Sequence, residues 1–184
     1  MFFPADVITG IKALEENWRV ILEEYQQLDS SQLEPWPERN IYEGKWDVFG
    51  LHAFGTIIPR NCQLCPKTAQ LLQSIPDVVT AGYSLLGARS RIIPHVGYTS
   101  SVLRVHLGLV VPPNCSVSVG EESRTWTEGR CLVFDDTAIH WATNDSDQDR
   151  IVFLLDIKKP GAKYMPPNSK EVEEVRSRLL NEGK

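Results

Sequence analysis

Histidine and arginine are the side chains in this sequence best suited to hold a metal ion or an organic anion. The four histidines are His52, His95, His106 and His140. A lone histidine in a strand is usually structural, so any chemistry has to be argued from the neighbours of each one. Three of the four fall in the second half of the chain, where short β-rich runs predominate.

Residues 102–111 place two polar side chains on one face of a strand. Because side chains alternate along a strand, Arg104 and His106 share one face, while Leu103, Val105, Leu107 and Leu109 share the other. If the polar face lines the interior of a barrel, the arginine and the histidine converge in a cavity. The alternative is an edge strand whose polar face is in contact with solvent.

Arg150 opens the apolar run Ile151-Val152-Phe153-Leu154-Leu155. An arginine at the head of a buried strand needs an anionic partner. Asp156 falls on the same strand face but lies about 20 Å along it, which is too far to pair. A bound carboxylate would suit the guanidinium because the two form a bidentate pair. A salt bridge to another acid of the protein is the alternative.

His95 and His140 each have a position nearby in the sequence where a further metal ligand could stand. His140 ends an acidic turn whose residues, Asp135 and Asp136, are predicted to cap and order the turn rather than to bind metal. A facial iron triad built on His95 would place a carboxylate at position 97, where the sequence has glycine. Taken by themselves, the residues therefore argue against a three-ligand iron site.

The elements that must position these residues are mostly strands. Apolar periodicity predicts one helix over 5–28, one or two strands over 46–58, a short helix over 66–75 and a surface helix over 168–181. Six β-rich runs separated by turn residues cover 83–86, 88–93, 102–111, 116–119, 130–134 and 150–157. This even spacing predicts a sandwich or small barrel rather than alternating β and α units.

Composition narrows the function classes. The 184 residues (20.8 kDa) carry 19 lysines and arginines against 24 acids, a net charge of −5 that argues against charge-driven binding to nucleic acid or an anionic membrane surface. We expect a single domain with no membrane-spanning segment and no secretory signal. Four cysteines do not make a disulfide scaffold, so a reduced, cytoplasmic setting is expected.

Several motifs, in order and with matching gaps, resemble the aspartyl/asparaginyl β-hydroxylase family, which also includes bacterial lipid A hydroxylases. They are Ile93-Pro94-His95-Val96-Gly97, Leu103-Arg104-Val105-His106-Leu107-Gly108-Leu109, Trp126-x-x-Gly129, Phe134-Asp135-Asp136-Thr137-x-x-His140, Arg150 and Asp156. The resemblance implies a mainly β fold with flanking helices, namely a double-stranded β-helix (a cupin-like jelly roll). It divides the chain into a lead-in over 1–43, a core over 44–160 and a tail over 161–184.

The resemblance also implies roles for individual residues. The family holds iron with two histidines and has glycine where a third, acidic ligand would stand, so His95 and His140 would be the iron ligands and Gly97 the vacant position. Arg150 and Ser84 would bind the distal carboxylate of 2-oxoglutarate, and His106 would lie near its other carboxylate. Arg104 would face the substrate, which hints at an acidic group there.

The activity implied is Fe(II)-, 2-oxoglutarate- and O2-dependent hydroxylation of an unactivated C–H bond. The favoured substrate carbon is the β-carbon of an aspartyl, asparaginyl or related residue in an amino acid, a peptide or a carrier-bound molecule. The alternatives are a lipid-precursor hydroxylase of the same family, a cupin-type metalloenzyme that does not use 2-oxoglutarate, and a non-catalytic jelly roll that binds a small acid. The sequence does not specify the oligomeric state.

Two further features are predicted to be structural. Cys62 and Cys65 form a C-x-x-C motif, but zinc would need a second pair of suitable spacing, so both thiols are expected to pack as small apolar groups. Trp126 is expected to be a core residue or a lid rather than a catalytic one.

Overall fold

The structure, a computed structural model, describes residues 1–166, 170, 172–174 and 177–178. The helices with defined bounds are α1 (Ile11–Glu16), α2 (Trp18–Gln26), α3 (Pro59–Leu64) and α4 (Pro66–Leu72), with short 3-10 turns at Ala5–Val7, Ser30–Gln32 and Arg39–Ile41. The strands are β1 (Phe2–Phe3), β2 (Glu34–Pro35), β3 (Tyr42–Glu43), β4 (Trp46–Ala53), β5 (Thr56–Ile57), β6 (Val78–Leu86), β7 (Ser90–His95), β8 (Val102–Val110), β9 (Cys115–Val119), β10 (Glu122–Arg124), β11 (Cys131–Phe134), β12 (His140–Asn144) and β13 (Arg150–Lys158).

The strands form two antiparallel sheets. The larger sheet has the order β1-β11-β8-β13-β6-β4-β2, with β5 paired to β4, and the smaller has the order β10-β9-β12-β7-β3. Apart from β4–β5 and β9–β10, paired strands are not consecutive in the chain, as in a jelly roll, and one apolar cluster joins the facing sheets. The sequence-based prediction of a mainly β sandwich with flanking helices is confirmed.

The larger sheet is covered on both faces, which explains why its central strands are almost entirely buried. Its outer face packs against α1, α2 and α4 in one apolar cluster, to which β8 contributes Val105, Leu107 and Leu109. Its inner face packs against the smaller sheet in a second cluster that includes Trp46, Phe134 and Leu154. The alternation predicted for 102–111 is confirmed: β8 lies between β11 and β13, so it is not an edge strand.

The amino-terminal helix differs from the prediction. In place of one helix over 5–28, the chain makes a 3-10 turn, then α1, then α2. Gly10 precedes α1 in the left-handed conformation (φ 85°) and Asn17 separates the two helices with its side-chain amide bonded to the Ala13 carbonyl oxygen. The predicted apolar stripe survives the breaks, since Leu14 and Ile21 are fully buried.

The predicted strands and the helix over 66–75 are present, although α3 and the short strands β1, β2, β3 and β10 were not predicted. Strand β12 follows the acidic turn and was not predicted, because its sequence His140-Trp141-Ala142-Thr143-Asn144 lacks an extended apolar run. The predicted helix over 168–181 falls largely outside the described residues; those that are described there are helical, and Val172 is buried. Across the described residues, every helix is too short or too polar to cross a membrane.

Candidate active site

Two histidines meet where the smaller sheet faces the cavity. His95 is the last residue of β7 and His140 the first of β12, and these residues are paired in the antiparallel register. Their ring centroids are 4.1 Å apart. Each Nδ1 donates to a carbonyl oxygen two residues earlier, Ile93 at 2.8 Å and Ala138 at 3.0 Å. Because a carbonyl only accepts, both rings carry their proton on Nδ1 and present a bare Nε2, which is the arrangement that metal-binding histidines use.

Both rings are also held in the neutral form that binds metal. Burial lowers the pKa of His95, and burial together with the nearby His95 and Arg104 lowers the pKa of His140 to about 3. No group of three or more histidine, cysteine, aspartate or glutamate side chains able to share a metal ion occurs in the described part of the chain. The pair therefore fits a site with two protein ligands, whose other positions would be filled by non-protein oxygens.

Arg150 lies across the cavity on β13 and is only 1% exposed. Its Nε and Nη1 have no hydrogen-bond partner, and no described carboxylate lies within ion-pair distance of it. Its guanidinium carbon stands 4.7 Å from the centre of the Trp126 ring, which is a cation–π contact. Burial lowers the pKa of Arg150 to about 10, so the side chain remains charged at neutral pH. A buried charge without an anion indicates a binding site for one.

Two hydrogen-bonding residues line the cavity with Arg150. Ser84 on β6 is opposite Val152 in the register and accepts a hydrogen bond of 2.9 Å from the indole Nε1 of Trp46. His106 on β8 accepts at Nδ1 a hydrogen bond of 3.3 Å from the indole Nε1 of Trp126. The Nε2 of His106 is buried without a partner. Burial, Arg150 and Arg104 hold the pKa of His106 well below its usual value, so this ring is neutral as well.

Arg104 lines the same cavity, but its guanidinium is already paired. Its Nε and Nη2 donate to the two carboxylate oxygens of Asp156 at 2.8 and 3.0 Å. Burial alone would lower its pKa, but Asp156 and Asp136 outweigh burial, and the pKa of Arg104 is raised. Asp156 lies too far along β13 to pair with Arg150. It pairs with Arg104 instead, because β8 and β13 place these two residues opposite each other. The anionic partner of Arg104 in the structure is therefore an acid of the protein, Asp156. The role of Arg104 towards a substrate stays a prediction.

Asp136 occupies the space that a side chain at position 97 would fill. An ideal Cβ built on Gly97 would lie 2.3 Å from both the Cγ and an Oδ of Asp136. The backbone agrees with this placement, since the Gly97 N–H donates to the Asp136 carbonyl oxygen at 2.7 Å. The carboxylate is 1% exposed, has no hydrogen-bond partner and lies 3.4 Å from Nη2 of Arg104. Burial raises its pKa to about 6.

The two aspartates of the turn therefore do different things. Asp135 caps it as predicted, accepting from the Thr137 N–H and hydroxyl at 3.1 and 2.7 Å and pairing with Lys159. Asp136 was predicted to do the same, but its carboxylate is buried against Gly97 and beside Arg104 instead. Sequence reasoning missed it because both aspartates have the same local context; the signal that could have found it is the glycine at 97.

Asn144 anchors the segment that delivers Arg150. Its Nδ2 lies 2.8–2.9 Å from the carbonyl oxygens of Leu86, Gly87 and Gln148, and its Oδ1 accepts from Ser146. These bonds tie the turn between β12 and β13 to the end of β6, the strand that carries Ser84. Asn144 is fully buried and was not singled out from the sequence.

The cavity itself is small. It measures about 20 Å³ and is lined by the predicted residues Ser84, His95, Arg104, His106, His140 and Arg150. A much larger groove of about 1010 Å³ shares Ser84 and Leu154 with it and extends over β4 towards His52. Among the predicted site residues, all six therefore converge, while the fourth histidine, His52, lies outside the cavity.

The C-x-x-C motif lies outside this cavity. Cys65 is completely buried in the outer cluster beneath the helices, and Cys62 packs against the same cluster. Burial raises the pKa of the Cys65 thiol to about 11, so it is protonated and unreactive at neutral pH. Both thiols pack as predicted.

Several curated proteins are similar to this chain in sequence. A rat protein, aspartate beta-hydroxylase domain-containing protein 2, is 34% identical over 174 residues, covering 86% of this chain and 51% of that protein. Human aspartyl/asparaginyl beta-hydroxylase is 34% identical over 159 residues, covering 82% of this chain and 21% of that protein. Ornithine lipid ester-linked acyl 2-hydroxylase of Rhizobium tropici is 37% identical over 119 residues, covering 63% and 42%. The chain spans about half of these relatives' length or less.

Solved structures agree on the fold. A Burkholderia pseudomallei oxidoreductase of the 2OG-Fe(II) oxygenase family has a TM-score of 0.57 at 9% identity, covering 84% of this chain and 83% of that one. A Pseudomonas putida prolyl-4-hydroxylase has a TM-score of 0.54 at 12% identity, covering 80% and 88%. The family profile described as Aspartyl/Asparaginyl beta-hydroxylase matches residues 15–160. This range includes the paired histidines His95 and His140 as well as Arg150 and Ser84. The chain belongs to the aspartyl/asparaginyl β-hydroxylase family.

Proposed function

We propose that this protein is an Fe(II)- and 2-oxoglutarate-dependent hydroxylase whose iron is held by His95 and His140. The observation that carries the proposal is Arg150, a buried guanidinium with two unpartnered nitrogens and no described acid beside it, in the same cavity as two metal-competent histidines. A dicarboxylate that also chelates a metal would satisfy both groups at once. The family and its hydroxylase relatives support the same class of reaction.

The residues of the chain would divide the work as follows. Arg150 and the Ser84 hydroxyl would bind the distal carboxylate of 2-oxoglutarate, and His106 would donate from Nε2 towards the end of the molecule nearer the iron. The bound iron would supply O2 activation coupled to decarboxylation of 2-oxoglutarate. Asp136 would place a negative charge beside Gly97, the position that the family resemblance leaves without an acidic ligand.

We propose that the enzyme hydroxylates an unactivated C–H bond. The first candidate is the bond at the β-carbon of an aspartyl, asparaginyl or related residue, in an amino acid, a peptide or a carrier-bound molecule. The relatives named for aspartyl and asparaginyl hydroxylation support this class. Because Arg104 is paired with Asp156, its geometry adds no support to the acidic substrate group that the resemblance hints at. The class therefore depends on the relatives rather than on the cavity.

A lipid precursor is the second candidate, and one observation favours it. The residues next to the two histidines, Val96 and Ile139, are large apolar side chains that are 58% and 57% exposed. They would offer an apolar rim to a substrate approaching the metal. A relative at 37% identity is named as an acyl 2-hydroxylase.

The test is substrate-stimulated succinate formation under iron, ascorbate and O2. The panel would hold free amino acids, aspartyl and asparaginyl peptides, and acylated amino acids. We expect one class to stimulate turnover, and we expect His95→Ala and His140→Ala each to abolish it. His52→Ala is the matched control, because His52 lies outside the cavity. Binding of 2-oxoglutarate without turnover on any substrate would favour a non-catalytic acid-binding module, and no binding at all would refute the proposal.

A further inference from the structure

Two buried tryptophans each touch one hydrogen-bonding residue of the cavity through the indole N–H. Trp126 is 2% exposed and its Nε1 lies 3.3 Å from Nδ1 of His106. Trp46 is 3% exposed and its Nε1 lies 2.9 Å from Oγ of Ser84. An indole nitrogen can only donate a hydrogen bond, so each contact has one possible direction.

The direction matters most for His106. Since Nδ1 accepts from Trp126, Nδ1 carries no proton, and a neutral ring must then carry its proton on Nε2. That Nε2 is buried without a partner and belongs to the wall of the same cavity as Arg150. His106 is thereby fixed as a donor, in the tautomer opposite to that of His95 and His140.

Ser84 is likewise left with a hydrogen to donate. A hydroxyl has one proton to donate and two lone pairs to accept with, and Trp46 occupies one of the lone pairs. Within the described residues, no acceptor contacts the hydroxyl's own hydrogen, which is left to point towards a ligand. Ser84 and His106 thus both offer hydrogens rather than lone pairs.

The fold holds Trp126 in place from two sides. Its loop closes onto β8 at Gly108, where an added Cβ would lie 2.5 Å from the Thr127 carbonyl oxygen, and the Gly129 N–H donates to the Gly108 carbonyl at 2.9 Å. The indole ring also lies against the Arg150 guanidinium. One side chain therefore contacts both His106 and the arginine.

We propose that Trp126 and Trp46 are positioning residues that fix His106 and Ser84 as hydrogen-bond donors, so that the cavity is preorganised for a carboxylate. This inference rests on the proposed function for the identity of the carboxylate as 2-oxoglutarate. The tautomer of His106 can be measured without any ligand, and the two claims can therefore fail separately.

The first experiment is two-bond ¹⁵N–¹H spectroscopy of the metal-free protein, whose four histidines make assignment by single substitution practical. We expect His106 as the Nε2–H tautomer and His95 and His140 as Nδ1–H. In Trp126→Phe, which keeps an aromatic ring over Arg150 but lacks the N–H, His106 should become a mixture of tautomers. An Nδ1–H tautomer of His106 in the unmodified protein, or an unchanged spectrum in Trp126→Phe, would overturn the inference.

The second experiment measures binding of 2-oxoglutarate to the Mn(II)-loaded protein by equilibrium dialysis without O2. Trp126→Phe and Trp46→Phe should each weaken binding roughly threefold to tenfold, as expected for one misdirected hydrogen bond. Trp36→Phe is the matched control, because this tryptophan is also buried but its N–H donates to Glu38. In a His106→Ala background, Trp126→Phe should lose most of its effect; an undiminished effect there would refute the route through His106. Absence of binding by the unmodified protein would refute the proposed function instead.

Discussion

The carboxylate of Asp136 leaves no room for a side chain at position 97, and Gly97→Ala tests that directly. Gly97 does not have a positive φ, so alanine meets no backbone penalty there. Its methyl group, however, would lie 2.3–2.5 Å from all three terminal atoms of the Asp136 side chain, against about 3.4 Å for ordinary contact. The carboxylate would have to move by about 1 Å in a buried site beside Arg104, which places the cost at the upper end of overpacking, about 3 kcal/mol.

A double-mutant cycle isolates this contact from other effects. Asp136→Ala removes the obstructing atoms, so Gly97→Ala in that background should cost less than about 1 kcal/mol, giving a coupling of about 2 kcal/mol or more. Urea unfolding of the metal-free protein, followed by tryptophan fluorescence, measures each free energy of unfolding. Gly50→Ala is the control, because an added Cβ there would meet only the tip of Ile58, at 3.3 Å. If Gly97→Ala unfolds like the unmodified protein, or if the coupling is below about 0.5 kcal/mol, the placement of Asp136 against Gly97 is wrong.

Four other substitutions test the cavity and its support. Arg150→Met should bind 2-oxoglutarate roughly 30-fold or more weakly in dialysis, since losing one partner of a buried charge pair costs about 2–5 kcal/mol, yet the free protein should be no less stable in urea because an unpartnered buried charge is removed. Ser84→Ala should weaken the same binding by only about 1 kcal/mol. The pKa of His140 is about 3 in the folded protein. With an unfolded value of about 6.5, protons favour the unfolded state, so stability falls as pH falls; His140→Gln should lose about 2 kcal/mol less than the unmodified protein between pH 7 and pH 5 in metal-free urea titrations. Asn144→Ala should cost about 3 kcal/mol in the same unfolding assay, because several buried carbonyls lose their donor; a cost below about 1 kcal/mol would contradict its anchoring role.

Much of the site follows from alternation along single strands. The period of two in 102–111 is enough to put Arg104 and His106 on one face, and the apolar run after Arg150 is enough to bury that arginine. These inferences need no knowledge of which strands are neighbours. For the same reason they predict which way a side chain faces on its own strand, but no contact between strands.

The partners of these residues depend on strand register, which local sequence does not encode. Asp156 pairs with Arg104 only because β13 lies antiparallel to β8 with those two residues opposite each other. Asp136 reaches Gly97 only because β7 and β12 are paired at His95 and His140. The indole contacts of Trp46 and Trp126 likewise join segments 38 and 20 residues apart in the chain. Sequence reasoning could name the side chains but not what each would touch.

The two sheets also contribute different kinds of polar group to the cavity. The larger sheet contributes Arg150, the hydroxyl hydrogen of Ser84 and the Nε2–H of His106, all of them donors without a described acceptor. The smaller sheet contributes the bare Nε2 atoms of His95 and His140, both of them lone pairs. Donors on one wall attract an anion and lone pairs on the other attract a cation, so neither ligand alone would satisfy the cavity. A metal ion with a chelating carboxylate would satisfy both walls, which supports the proposed function and would account for the unpaired polar groups in a space of about 20 Å³.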